Sequence, residues 1–224
     1  MTRLPHRILL PLATLLLLSN PLLAETKSNI EYAHPDNTPL TLDAGIPDPT
    51  PDHPQPFPAI LLIHGGGWSS GDKTKDFPQL YQPLNNAGIA WFSINYRLAP
   101  QHRWPASLDD VNSALLWLHT HAPDYHCDPT RLAILGYSAG GHLALLAALQ
   151  TKIPLRAIVG LAPPTDLELD LPTRGGLSPS LQSLLNLPHQ LTPDSQKLLH
   201  DISPLHYLHK DLPPILILHG TADK

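Results

Sequence analysis

The sequence predicts an α/β fold, with a mostly parallel, twisted sheet and helices on both of its faces. Short, wholly apolar runs at residues 59–63, 132–135 and 215–218 are typical of strands buried on both faces. Amphipathic stretches with helical periodicity lie between these runs. Strands that alternate with helices in this way favour a parallel sheet.

The predicted strands follow one another along the chain. An alternating apolar pattern predicts a strand pair within residues 29–44, and a proline-rich connector follows at 46–58. The run at 59–63 is the first buried strand. Comparable runs predict further strands at 88–94, 132–135, 157–161 and 215–218.

Two helices are predicted between these strands. In the stretch 107–121, Val111, Leu115 and Leu118 fall on one helical face. The stretch 142–150 is rich in alanine and leucine and begins directly after a glycine pair. Each helix therefore offers an apolar surface to the sheet.

Length and composition indicate one domain and exclude some partners. The 224 residues are 42% hydrophobic and 15% charged, which suits one sizeable core, and we expect a single domain over residues 25–224. The net charge is -5, with 14 Lys and Arg against 19 Asp and Glu, so there is no basic surface for nucleic acid. No clustered ligand spacing points to a metal or cofactor. The lone Cys127 excludes an internal disulfide.

Residues 1–24 have the pattern of a secretory signal peptide. Arg3 and Arg7 precede an apolar stretch at 8–18, and Ala24 is a small residue suited to cleavage. The apolar stretch is shorter than the roughly 20 residues that a membrane span needs. We predict cleavage after Ala24 and a secreted or periplasmic protein without stable membrane association. An uncleaved signal anchor is the alternative.

The segment Gly-Tyr-Ser-Ala-Gly-Gly at 136–141 predicts a nucleophilic serine. It lies between a predicted strand and a predicted helix, the context of a nucleophile elbow. Such a turn has room only for small residues two before and two after the serine, here Gly136 and Gly140. Ser138 would then stand at a helix N-terminus, where free N–H groups favour developing negative charge.

A second glycine-rich segment, His-Gly-Gly-Gly-Trp at 64–68, follows the strand at 59–63. Its backbone N–H groups are suited to an oxyanion hole, and we assign that role to Gly66 and Gly67, with Ala139 as a third donor. A phosphate-binding loop is disfavoured, because no lysine with Ser or Thr follows the glycines. His64 is expected to support the loop.

A third candidate is Asp223, in the segment His-Gly-Thr-Ala-Asp after the strand at 215–218. An acidic residue on a loop after a late strand, and after the serine in chain order, suits the acid of a catalytic triad. Its role would be to hold the tautomer of a histidine and to stabilise the imidazolium.

Together these motifs resemble the α/β-hydrolase superfamily, in the group that joins hormone-sensitive-lipase-like esterases and the BD-FAE relatives of feruloyl and acetylxylan esterases. Further similar segments are NYRLAP at 95–100, WPA at 104–106, DDV at 109–111, DPTR at 128–131, SP at 203–204 and DLPP at 211–214. The resemblance implies an α/β-hydrolase fold and a serine carboxylesterase that works through an acyl-enzyme, without a cofactor or metal.

The same resemblance predicts a missing element. In that family the chain continues past the acid to a last strand, a loop with the catalytic histidine and a closing helix. None of the 14 histidines here follows Asp223, so we expect a C-terminally truncated, nearly inactive fragment that lacks about 40–60 residues. The strand at 215–218 would then be an uncovered edge. His142 or His219 could replace the base only by reaching the Ser138 hydroxyl, which we do not expect.

Two other functions stay open at this point. One is a catalytically inactive, hydrolase-like binding protein, and the other is a peptidase of the prolyl-oligopeptidase type, although the chain has no room for its usual propeller domain. For an esterase, the expected substrate is a small-molecule or polysaccharide-linked ester. Trp68, Trp104 and Leu167 suit an acyl or alcohol pocket and suit the core equally well.

Overall fold

One seven-stranded sheet runs through the computed structural model, which describes residues 25–169, 171 and 175–222. The predicted signal peptide at 1–24 and the predicted acid Asp223 lie outside the described residues. The strands are β1 (Glu25–Ala33), β2 (Leu40–Ile46), β3 (Phe57–Ile63), β4 (Ala90–Ile94), β5 (Cys127–Tyr137), β6 (Leu155–Leu161) and β7 (Ile215–Leu218).

The strand order β1-β2-β4-β3-β5-β6-β7 confirms the predicted α/β sheet. β1 and β2 form an antiparallel pair, and β2 also runs antiparallel to β4. All the remaining neighbours, from β4 to β7, pair in parallel. The carboxyl ends of the parallel strands therefore meet at one edge, which is where ligands bind in open α/β sheets.

β3 and β5 extend beyond their predicted bounds. β3 begins at Phe57 because the Phe57 N–H donates to the His126 carbonyl at 2.8 Å, just ahead of β5. Pro58 then lies inside the strand, where the register shifts between Phe57 and Ala59. The connector predicted at 46–58 is therefore shorter than the sequence pattern indicates.

The helices are α1 (Pro78–Asn86), α2 (Ala106–His121), α3 (Ala139–Gln150), α4 (Pro179–Leu185) and α5 (Pro193–Asp201). Short 3-10 segments occur at Pro35–Asn37, Ala122–Tyr125 and Pro204–Tyr207. α2 confirms its prediction, and α3 begins three residues earlier than the glycine pair suggests, at Ala139. α1, α4 and α5 were not predicted from the sequence.

Side chains that alternate along β3 divide the core into two parts. Leu61 and Ile63 belong to the larger part, which also holds the apolar faces of α2 and α3. Ile60 and Leu62 point to the opposite face, where side chains of α1 complete a smaller core. Helices therefore cover both faces of the sheet, as predicted.

β7 lies at the edge of the sheet in the described part of the chain. Its side chains at Leu216, Ile217 and Leu218 are 51%, 42% and 54% exposed, so three consecutive apolar residues face solvent. The predicted uncovered edge is present among the described residues. None of the described helices is long and apolar enough to cross a bilayer.

Candidate active site

Ser138 lies in the turn between β5 and α3, at the carboxyl end of the parallel sheet. Its backbone has φ 51° and ψ -118°, a left-handed conformation that costs energy in a non-glycine residue. The Ser138 N–H donates to the Leu161 carbonyl at the end of β6, and the Ser138 carbonyl accepts from the His142 N–H. The backbone N–H and the carbonyl of Ser138 are thus both hydrogen-bonded, and its half-buried side chain lines a pocket.

Two glycines make this turn sterically feasible. A Cβ at Gly136 would lie 2.1 Å from the Gly140 carbonyl oxygen. A Cβ at Gly140 would lie 2.2 Å from the carbonyl oxygens of Ile63 and His64. The helix that starts after Ser138 therefore approaches the end of β3 more closely than any side chain would permit.

The glycine-rich segment after β3 packs directly against this turn. A Cβ at Gly65 would lie 3.3 Å from the Ser138 Cβ. Gly66 and Gly67 have φ values of 115° and 60°, and the Gly66 carbonyl accepts hydrogen bonds from the Ser69 and Ser70 N–H groups. In the described residues, the N–H groups of Gly66 and Gly67 have no acceptor.

Two of the three predicted oxyanion donors lie at the serine, because Gly67 and Ala139 line the same pocket as Ser138. Ala139 is the first residue of α3, so its N–H lacks an intrahelical acceptor. Gly66 precedes Gly67 in the same loop. The arrangement can therefore offer unpaired amides to a negative charge beside the serine hydroxyl.

Buried polar groups fix the glycine loop from behind. The Gly65 N–H donates to Asp76 Oδ2 at 2.7 Å. His64 Nδ1–H donates to the Gly65 carbonyl, and its ring stacks on Tyr96 with 4.3 Å between centroids. The Tyr96 hydroxyl donates to the His64 carbonyl at 3.0 Å. Burial lowers the pKa of His64, which favours a neutral, structural imidazole.

The pocket in front of Ser138 has a volume of about 600 Å³. Two of the three pocket candidates from the sequence, Trp68 and Leu167, line it. The third, Trp104, packs near His142 instead. Much of the pocket wall comes from the segment after β6 and from α4. Apart from Leu167, the residues that these two segments contribute were not predicted from the sequence; they include Pro163, Pro164, Asp166, Leu169, Ser180 and Leu181.

His142 does not fit the role of a base. It is fully buried, and its Nε2–H donates to the Ile202 carbonyl at 2.8 Å, away from the serine hydroxyl. Burial lowers the pKa of His142 to about 4. His219, at the end of β7, lines the pocket together with Ser138. His64 and His142 both donate to backbone carbonyls, so neither is placed as the base for Ser138.

Comparison with known proteins agrees with this geometry. A family model described as BD-FAE matches residues 42–224, which is most of the chain. The probable carboxylic ester hydrolase LipM of Mycobacterium tuberculosis (strain ATCC 25618 / H37Rv) is 33% identical over 178 residues, covering 74% of this chain and 41% of LipM. Esterase LipC of the same strain is 30% identical, covering 75% of this chain and 45% of LipC.

Solved structures share the fold as well. The apo form of Thermogutta terrifontis esterase 2 has a TM-score of 0.67 and 27% sequence identity, and the match covers 90% of this chain and 73% of that chain. This chain spans less than half the length of the two curated relatives. The family match and the fold lead to the same conclusion: the chain belongs to the BD-FAE family of α/β-hydrolase esterases.

Proposed function

We propose that this protein is a serine carboxylesterase that hydrolyses acyl esters through an acyl-enzyme on Ser138. One observation carries the proposal: a serine held at positive φ lies beside backbone amides without acceptors, in a pocket of about 600 Å³ with a mixed polar and apolar wall. A nucleophile, an oxyanion site and a space for an acyl group are the minimum set for acyl transfer. Membership of an esterase family supports the same reaction.

In the proposed reaction, Ser138 Oγ attacks the ester carbonyl carbon while a base takes the hydroxyl proton. The carbonyl oxygen becomes an oxyanion, which accepts hydrogen bonds from the amides of Gly66, Gly67 and Ala139. The base then gives its proton to the leaving alcohol, and the acyl group stays on Ser138. Attack by water on this ester releases the carboxylic acid and restores the serine.

Asp223 is the proposed acid of the triad, with the role of orienting the base. His142 is excluded as that base by its burial and by its hydrogen bond to Ile202. We propose that the base is a histidine that Asp223 orients, and that turnover depends on it. Loss of the histidine in an unrelated serine protease lowers turnover about a millionfold.

The proposed substrates are small acyl esters or acyl groups on polysaccharide. The pocket volume of about 600 Å³ is that of an ordinary small-molecule site, with room for an acyl or aryl group. Its wall mixes leucines and prolines with Asp166, Ser178 and Ser180, which offer partners for sugar hydroxyls. We also propose that residues 1–24 direct export, which would bring the enzyme to extracellular polysaccharide.

Substrate turnover tests the proposed function. With the purified protein, release of p-nitrophenol from p-nitrophenyl acetate is compared with release of acetate from acetylated xylan and of p-nitroaniline from alanine p-nitroanilide. We expect turnover of the esters and none of the amide. Amide turnover that exceeds ester turnover would favour a peptidase of the prolyl-oligopeptidase type. No turnover of any of the three substrates would favour a catalytically inactive, hydrolase-like binding protein.

Gly66→Ala is expected to lower kcat for p-nitrophenyl acetate about a hundredfold, with KM changed much less. A Cβ at Gly66 would lie 2.0 Å from the Ser70 carbonyl oxygen, and φ is 115°, so the loop and its amides must shift. Loss of one oxyanion donor costs about 10²–10³ in kcat. Gly175→Ala is the matched control, because Gly175 also has positive φ but an added Cβ has no atom within 4 Å. If both variants keep the original kcat, the loop is not the oxyanion site.

A further inference from the structure

Three metal-ligating side chains converge on the surface beside the pocket wall. Glu168 follows β6, His200 lies near the end of α5, and His206 belongs to the 3-10 segment Pro204–Tyr207. Their ligand atoms all lie within 4.8 Å of one another. In the described residues, no other group of three His, Cys, Asp or Glu side chains comes this close together.

The distances suit a shared cation. His200 Nδ1 lies 3.1 Å from Glu168 Oε2, and His206 Nε2 lies 3.4 Å from the same oxygen. Ligand atoms at 2.0–2.1 Å from a tetrahedral zinc ion are separated from one another by about 3.3 Å. The two imidazole rings stack with 3.6 Å between centroids.

Other histidine–carboxylate pairs in this chain are arranged differently. His34 with Glu31 and His121 with Asp124 are each a single pair three residues apart, with a distance of 2.9 Å. At Glu168, by contrast, two stacked imidazoles share one carboxylate oxygen. Two protonated rings in contact would repel each other, whereas two neutral rings offer lone pairs to one divalent ion.

The backbone that carries these ligands is already fixed. The Leu205 N–H donates to the Thr165 carbonyl at 3.0 Å, which joins the 3-10 segment to the loop after β6. The Leu167 N–H donates to Ser203 Oγ, and that hydroxyl donates to the Leu199 carbonyl. Only the exposed side-chain ends need to adjust when an ion binds. The conformational entropy lost on binding is therefore that of three side chains.

We propose that Glu168, His200 and His206 bind one divalent cation of the zinc class, with the fourth position open to water or a further ligand. Two imidazoles and one carboxylate are a set that zinc takes in proteins. The bound ion would connect the loop after β6 to α5 and the 3-10 segment. Because Leu167 and Leu169 flank Glu168 and line the pocket, the ion would also hold the pocket wall in place.

Zinc binding to tag-free protein tests this proposal. Isothermal titration with Zn²⁺ is expected to give one site per chain, and Zn²⁺ is expected to raise the melting temperature in a way that a chelator reverses. Loss of an outer-shell partner alone weakens metal affinity about 10–100-fold. We therefore expect His200→Ala, His206→Ala and Glu168→Gln each to weaken Zn²⁺ binding about 100-fold. All three side chains are partly or largely exposed, so the variants should fold.

His121→Ala is the matched control, since it removes an exposed histidine paired with one carboxylate. It is expected to keep the wild-type affinity and the wild-type gain in melting temperature. The absence of a saturable Zn²⁺ site in the wild-type protein would overturn the proposal. So would equal affinity in the wild type and in the Glu168→Gln, His200→Ala and His206→Ala variants.

Discussion

Ser138→Ala is expected to lower kcat for p-nitrophenyl acetate about a millionfold. Removal of the hydroxyl leaves no atom to carry the acyl group, so only the oxyanion amides and substrate binding contribute to the residual rate. The fold should be retained, because the anchoring hydrogen bonds of residue 138 come from its backbone. Single-turnover and steady-state release of p-nitrophenol measure the effect.

Ser113→Ala is the control for this variant. Ser113 is an exposed serine in α2 that does not line the pocket, so its loss should change kcat by less than about tenfold. If Ser138→Ala keeps a kcat within tenfold of the wild type, another residue is the nucleophile and the proposed reaction is wrong.

Asp110→Ala is expected to lower the free energy of unfolding by about 3–5 kcal/mol. The Asp110 carboxylate accepts hydrogen bonds from Arg97 Nε, from Nη2 and from the Arg97 backbone N–H, at 2.8–3.0 Å. Both side chains are almost fully buried, at 8% and 2% exposed. Without the carboxylate, the exposed Asp36 is the ion-pair partner left to Arg97 among the described residues. Urea denaturation followed by circular dichroism measures the change.

Asp109→Ala provides a matched comparison one residue away in α2. Asp109 is exposed, and its loss should change the free energy of unfolding by less than about 0.5 kcal/mol. Equal stability of the two variants would mean that the buried ion pair contributes little. Because Arg97 follows Tyr96, which stacks on His64, Asp110→Ala should also loosen the support of the glycine loop.

The parts of the fold that sequence predicted are those with strong local patterns. The predicted runs at 59–63, 132–135 and 215–218, which lie in β3, β5 and β7, are wholly apolar, and α2 has a clear periodic face. α1 was missed because Pro83 lies inside it, a position that normally argues against a helix. α4 and α5 are short, and their first turns contain proline and polar residues, so their patterns are weak.

The candidate site likewise has local parts that the sequence identifies and long-range contacts that it does not. The turn at Ser138 and the loop at Gly66 are local, because each needs glycine at fixed offsets, and the sequence therefore identifies them. Asp76, which holds the Gly65 N–H, lies 11 residues along the chain and contacts it only through the fold. The cluster of Glu168, His200 and His206 spans more than 30 residues with no motif spacing, so only the folded chain brings it together.

Covalent trapping tests the central claim most directly. The protein is treated with a fluorophosphonate that mimics the tetrahedral intermediate, and the modified peptide is identified by mass spectrometry. We expect one phosphonyl group per chain, on Ser138, with ester hydrolysis lost in proportion to labelling and no label on Ser138→Ala. A label on another residue that accompanies the loss of activity would contradict the assignment of Ser138 as the nucleophile.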